Sequence, residues 1–163
     1  MKQKILKAGG LAAVLVMVMA APLHSQSNIG IAAGGGFPEA SHLGLRYHWQ
    51  QTNVGVYYGL AEDWRSAGIA MGFHLFGYSK HTPTKPIYFK AGIFSNRGEN
   101  FFFWERLKYN SLELRAGYTI NFSPRFGLEL EAGPAIAFRL ELDNKYRGAG
   151  FAAGFAGRFF VKF

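Results

Sequence analysis

The chain reads as an all-β protein: an eight-stranded antiparallel up-and-down transmembrane β-barrel, preceded by a cleavable signal peptide. Three observations predict it. Beyond the leader, apolar and polar residues alternate with a period of two, in eight segments separated by turn chemistry. The polar faces are crowded with glycine and alanine, while the apolar faces carry Phe, Tyr, Trp, Leu and Ile. The final thirteen residues, FAAGFAGRFFVKF, show the contrast most sharply. One face there is Phe151, Ala153, Phe155, Gly157, Phe159, Val161 and Phe163; the other is Ala152, Gly154, Ala156, Arg158, Phe160 and Lys162. Successive side chains of a strand leave opposite faces. Four phenylalanines therefore share one face, and both charges share the other.

The segments are justified in order. Asn28 to Gly35 sets Ile29, Ile31 and Ala33 against Gly30, Ala32 and Gly34. After the turn Phe37–Ser41, His42 to Trp49 sets Leu43, Leu45, Tyr47 and Trp49 against Gly44, Arg46 and His48. Gln50–Thr52 turns into Asn53 to Leu60, with Val54, Val56, Tyr58 and Leu60 opposite Gly55, Tyr57 and Gly59. A polar loop, Ala61 to Arg65, precedes Ser66 to Gly77, where Ile69, Met71, Phe73 and Leu75 oppose Ala70, Gly72, His74 and Phe76. Tyr78–Pro86, with two prolines and two lysines, breaks the pattern.

Ile87 to Ser95 then sets Ile87, Phe89, Ala91 and Ile93 against Tyr88, Lys90, Gly92 and Phe94. Asn96 to Leu107 reads as the longest loop. Lys108 to Phe122 sets Leu112, Leu114, Ala116, Tyr118, Ile120 and Phe122 against Glu113, Arg115, Gly117, Thr119 and Asn121. Ser123-Pro124-Arg125 is a tight turn. Phe126 to Leu142 opposes Phe126, Leu128, Leu130, Ile136, Phe138 and Leu140 to Glu129, Glu131, Arg139 and Glu141. Pro134 sits inside this segment, where it cannot donate to a ladder, and a bulge beside Gly133 is expected. Asp143 to Gly150 is a loop, and the closing strand follows.

Volume decides which face points outward. An eight-stranded barrel is just wide enough inside for side chains to fill, so the small residues belong inside and the large apolar ones outside, toward lipid. Shifting the last three strands by one residue would turn Glu113, Arg115, Glu129, Glu131, Arg139 and Arg158 toward that lipid. Arginine costs about 2–4 kcal/mol at a bilayer midplane and acids less, so the slip costs on the order of ten kcal/mol. Short turns at the inner end and longer loops at the outer end are expected. The connection Tyr78–Pro86, at nine residues, is longer than that rule prefers.

The leader spans residues 1–25. Lys2, Lys4 and Lys7 form a basic start, Gly9 to Ala21 is apolar, and a small residue, Ser25, precedes the expected cut before Gln26. Its apolar run is too short to cross a bilayer as a helix, which needs roughly twenty residues. The barrel domain is then 26–163. Net charge is +8; with the three leader lysines removed, fifteen basic against ten acidic residues leave +5. That modest excess fits an anionic membrane surface. No run of basic residues with interleaved aromatics points to nucleic acid. Cysteine is absent, which excludes disulfides, thiolate metal sites and a lipidated cysteine. His48 and His74 stand alone on their strands, so no metal and no cofactor is expected.

The inward-facing charges form one expected polar network: Arg46, His48, His74, Lys90, Glu113, Arg115, Glu129, Glu131, Arg139 and Arg158, with Arg115 beside Glu129 or Glu131. Charges out of water must be paired, so this set reads as a structural filling. A narrow path for ions or a small solute is the alternative. Trp49, Trp64 and Trp104, with Tyr47, Tyr78, Phe122 and Phe126, lie near strand ends, where interfacial aromatic girdles sit. Arg97, Phe101, Phe102, Phe103, Trp104 and Arg106 form a candidate surface-loop contact.

The leader, eight alternating strands, charged lumen and terminal Phe163 together resemble the small OmpA/OmpX-type outer-membrane barrels, over Asn28 to Phe163. The resemblance is one of architecture. It implies an assembly signal in Phe155, Phe159, Val161 and Phe163, read by the barrel-assembly machinery, and a place in the cell outer membrane. A monomer is expected, with no periplasmic peptidoglycan-binding domain after the barrel. The expected role is non-enzymatic, structural or in surface interaction, with outer-membrane lipid and lipopolysaccharide as partners. A channel or binder of small solutes is the first alternative and a lipid-modifying enzyme the second. For the enzyme, Ser41 and His42 point to opposite faces, and Ser79 with His81 has no carboxylate beside it.

Overall fold

The computed structural model describes residues 28–37, 40–61, 64–99, 106–142 and 145–163. The leader and Phe101, Phe102, Phe103 and Trp104 lie outside the described residues. Eight strands run in sequence: β1 (Ile29–Phe37), β2 (Ala40–Trp49), β3 (Thr52–Ala61), β4 (Trp64–Phe76), β5 (Ile87–Glu99), β6 (Arg106–Asn121), β7 (Phe126–Leu142) and β8 (Lys145–Lys162). Each pairs antiparallel with the next, and β8 returns to β1, so the sheet is a closed barrel. The seam runs from Gly30 opposite Lys162 to Phe37 opposite Phe155. Closure leaves no free sheet edge, which is the physical reason for such a circuit.

The faces are as the alternation predicts. Leu45, Val56, Ile69, Phe89, Leu130 and Phe159 project outward, all of them exposed, while Arg46, Tyr57, Lys90, Phe94, Glu131 and Arg158 project inward and are buried. Close approach at the seam requires glycine: a Cβ on Gly34 would lie 2.0 Å from the Gly157 carbonyl oxygen, and one on Gly36 2.2 Å from that of Phe155.

Several expectations about the strands change. β5 continues through Asn96, Arg97 and Gly98 to Glu99, paired with Lys108, Leu107 and Arg106 on β6. Arg97 and Arg106 are therefore strand residues and not loop residues. β8 likewise begins at Lys145, not Phe151. Backbone ladders need no apolar side chains, so both strands outrun the hydrophobic pattern. The upper connections shrink accordingly, and the expected longer outer loops give way to longer strands: β1 has 9 residues and β8 has 18. At Pro134 there is no bulge. The β6–β7 ladder pairs Glu113 with Ala135 and Ala116 with Ala132 in one register, and the register shifts higher, between Lys108 and Asn110. Proline removes a donor but adds no residue, so nothing forces the register to shift there.

The lower end, where β1 starts and β8 finishes, accounts for the long fourth connection. Gly77–Pro86 folds as a strap tied at both sides. Gln51 donates from Nε2 to the Pro83 carbonyl (3.0 Å) and accepts from the Lys85 amide (2.9 Å). The Asn121 amide donates to Ser79 Oγ (3.2 Å), and the Thr119 amide donates to the Pro86 carbonyl (2.8 Å). The connection is long because it reaches from the β2–β3 turn to the end of β6. Gly77 adopts φ 92°, a left-handed conformation that starts the strap.

Candidate functional site: the ionic core

The most elaborate chemistry lies inside the wall. Neighbouring inward positions two residues apart on one strand put Glu129 and Glu131 of β7 in line, and each collects a different set of cations. Glu129 takes both guanidinium nitrogens of Arg46, at 2.6 and 2.7 Å, from β2. This bidentate pair, the strongest geometry for such contacts, spans three strand steps around the barrel. Glu131 Oε1 accepts from Lys90 Nζ (3.0 Å) and Arg115 Nη1 (2.7 Å), and it also meets Arg158 Nη1. Its Oε2 accepts from the Tyr88 hydroxyl at 3.0 Å.

Arg115 ties the network further. Its Nη2 lies 2.6 Å from Glu113 and donates to the Phe37 carbonyl at 3.2 Å. Arg158 Nε donates to His42 Nε2 at 2.5 Å. Among the described residues this core sets four cations, Arg46, Lys90, Arg115 and Arg158, against three carboxylates. The Tyr57 ring sits among the excess charge: Lys90 Nζ is 4.8 Å, and the Arg46 and Arg158 guanidinium carbons are each 5.5 Å, from its centroid. The negative face of a ring is attracted to cations at this range, so Tyr57 stabilises these cations without supplying a charge. Above it, Tyr57, Ala70 and Phe94 make a small apolar layer.

Below the ionic core, His74 is fully engaged. Asn53 Nδ2 donates to its Nε2 (3.0 Å), so Nδ1 carries the proton and donates to the Lys85 carbonyl of the strap (2.7 Å). Neither nitrogen is left for a metal. Among the described residues no three His, Asp or Glu side chains gather as metal ligands.

The expected lumen residues Arg46, His74, Lys90, Glu113, Arg115, Glu129, Glu131 and Arg158 are all buried, and His48 is half-buried. The Arg139 side chain lies outside the described residues, although its backbone is in β7. Arg115 pairs with Glu131, one of its two expected partners. Missing from the expectation were His42 and Tyr88, whose inward parity was visible but whose partners were not. Trp64 also departs from it. It turns inward and packs on Tyr109, ring centroids 5.9 Å apart, and does not join an outer girdle. Position on β4 decides this, since Trp64 shares parity with buried Ser66 and Ala70. At the lower end outer aromatics meet one another: Phe126 lies 5.4 Å from Phe122 and stacks on Phe159 at 6.0 Å.

Of the assembly residues, Phe155 and Phe159 are exposed on the outer face and Val161 and Phe163 are half-buried; the Phe163 amide donates to the Ile29 carbonyl at 3.0 Å. Ser41 is exposed and His42 buried, on opposite faces as expected. Ser79, in the strap, accepts from Asn121. The chain matches no protein-family profile, no curated protein and no solved structure.

Proposed function

We propose that this is an integral outer-membrane barrel with a structural or surface-interaction role, exported by residues 1–25 and carrying a lumen closed by its own side chains. One observation supports the membrane reading above all. Among the described residues thirty large apolar side chains are exposed, all but Tyr78 and Phe122 on the strands of a closed barrel, while the charges of the core are buried. Water-soluble proteins rarely expose contiguous apolar patches above a few hundred Å²; hydrocarbon requires such a surface, and it requires a sheet without edges. The filled interior supports the non-conducting role: Arg115, Arg158, Tyr88, Phe94 and Glu113 are each almost wholly inaccessible. Its partners on this reading are outer-membrane lipid, lipopolysaccharide and the barrel-assembly machinery.

The test is refolding of the full chain from urea into phosphatidylcholine vesicles. Heat-modifiable gel migration is the expected result, and its absence would contradict a closed membrane barrel. Planar-bilayer recordings on the same preparation should show no steady openings. Reproducible unitary conductance would replace the filled-lumen reading with the channel. A mass spectrum of lipid A changed by the protein would replace it with the enzyme.

A further inference from the structure

The strand register, and not the linear sequence, brings three cations abreast on the outside of the barrel. Arg65 of β4 stands opposite Arg97 of β5, and Arg97 stands opposite Lys108 of β6. All three have outward parity: Arg65 and Arg97 are exposed and Lys108 half-buried. Like charges directly opposite on a sheet destabilise it. The row meets Leu60 of β3 at one end and Glu141 of β7 at the other. An acid in register is thus available to Lys108 alone, and Arg97 has a cation on each side.

What lies beneath the row is equally ordered. One step down, Ala67, Ser95 and Asn110 are in register; a second step down come Ile69, Ile93 and Leu112. The middle tier has small side chains, with one hydroxyl and one amide, where the tier below is large and apolar. Strand spacing makes the row about 9.5 Å wide, and two residues of rise separate tiers by about 7 Å. Among the described side chains, the outward upper positions of the other strands carry no cation: Phe37, Ser41, Leu60, Phe138 and Phe151.

We propose that Arg65, Arg97 and Lys108 form a binding site for the phosphate head group of an anionic membrane lipid, seated against the outer wall at the upper rim. The three tiers match the three parts of such a lipid. Guanidinium groups take the phosphate oxygens, in the fork geometry that suits them. Ser95 and Asn110 face the polar linkage beneath, and Ile69, Ile93 and Leu112 carry the first methylenes of the chains. The site rests on the membrane reading above and adds to it a place and a head-group chemistry.

The experiment uses the full chain refolded in phosphatidylcholine nanodiscs doped with phosphatidylglycerol, with retained lipid counted by native mass spectrometry. The wild-type chain is expected to retain phosphatidylglycerol in preference to phosphatidylcholine. The triple variant Arg65→Ser, Arg97→Ser, Lys108→Ser should lose that preference by about a hundredfold, since each basic residue near an anionic surface contributes roughly fivefold. A control at the other rim, Lys80→Ser with Lys85→Ser and Arg125→Ser, should retain it. Arg97→Gln alone, a rim change with little risk to folding, should lose part of it. Equal retention by the triple variant and the wild type would overturn the site. So would displacement of the lipid by millimolar inorganic phosphate, which would make it a site for the free anion. Insertion with no head-group preference overturns this proposal but leaves the membrane reading intact. Failure of the wild-type chain to insert at all overturns both.

Discussion

The two sides of the barrel wall are built on opposite rules. On the outside, Leu45, Val56, Ile69 and Phe89 need only be apolar, because their surroundings impose no partner. On the inside, Glu129 and Glu131 stand two residues apart yet serve different cations, Arg46 for one and Lys90, Arg115 and Arg158 for the other. The outer face is therefore degenerate and the inner face specific. A substitution inside should act through the partners it strands, and a substitution outside only through its own transfer free energy.

That contrast can be broken at its strongest point. Glu131→Leu removes the carboxylate that three cations share and leaves them buried without it. The expected loss is about 3–5 kcal/mol or more of unfolding free energy, the range for breaking a buried pair by removing one partner. Urea titration of the refolded chain measures it, and a loss below about 1 kcal/mol would show that the network carries little stability. Next in size is a charge on the outer wall. Met71→Arg, one tier further from the upper rim, should cost about 2–4 kcal/mol in phosphatidylcholine vesicles, the midplane value for arginine. A negligible cost there would mean that this face does not meet hydrocarbon.

The Arg46–Glu129 pair sharpens the inner rule. Arg46→Met and Glu129→Met should each destabilise by about 3 kcal/mol, while the double variant recovers most of that loss, because no charge is then left buried and unpaired. Simple additivity in this cycle would refute a specific pair. The smallest effect concerns the β2–β3 turn. Gln50 adopts φ 51°, a left-handed conformation that costs a side-chain-bearing residue about 1–2 kcal/mol and glycine much less. Gln50→Gly should stabilise by about 0.5 kcal/mol, with no change at the strap. A clear destabilisation would mean that the Gln50 side chain holds the turn.

Much of the site was legible at the level of faces, and little of it at the level of partners. Parity alone sends Arg158 inward. Adjacent strands offer it Glu129, its cross-strand neighbour, and Glu131 on the same strand. The structure brings Arg158 to Glu131 and adds His42, while Glu129 goes to an arginine three strands away. Long side chains in a narrow lumen meet across its curvature, so their pairing depends on closure and stagger, which no local pattern encodes. Strand limits failed for a related reason. Arg97 and Lys145 continue their ladders through backbone hydrogen bonds, beyond the point where apolar alternation stops.

The sequence by itself determined the strand number and the handing of each residue to one face or the other, because both follow from a period of two enforced by a large difference in transfer free energy. Only the tertiary structure decided which charges share a carboxylate, that Gly77–Pro86 straps the lower end, and that Arg65, Arg97 and Lys108 stand in one row. Those three residues are far apart in the chain and lie on three strands. Hydrogen bonding between neighbouring strands, propagated around a closed sheet, is what sets their relative heights.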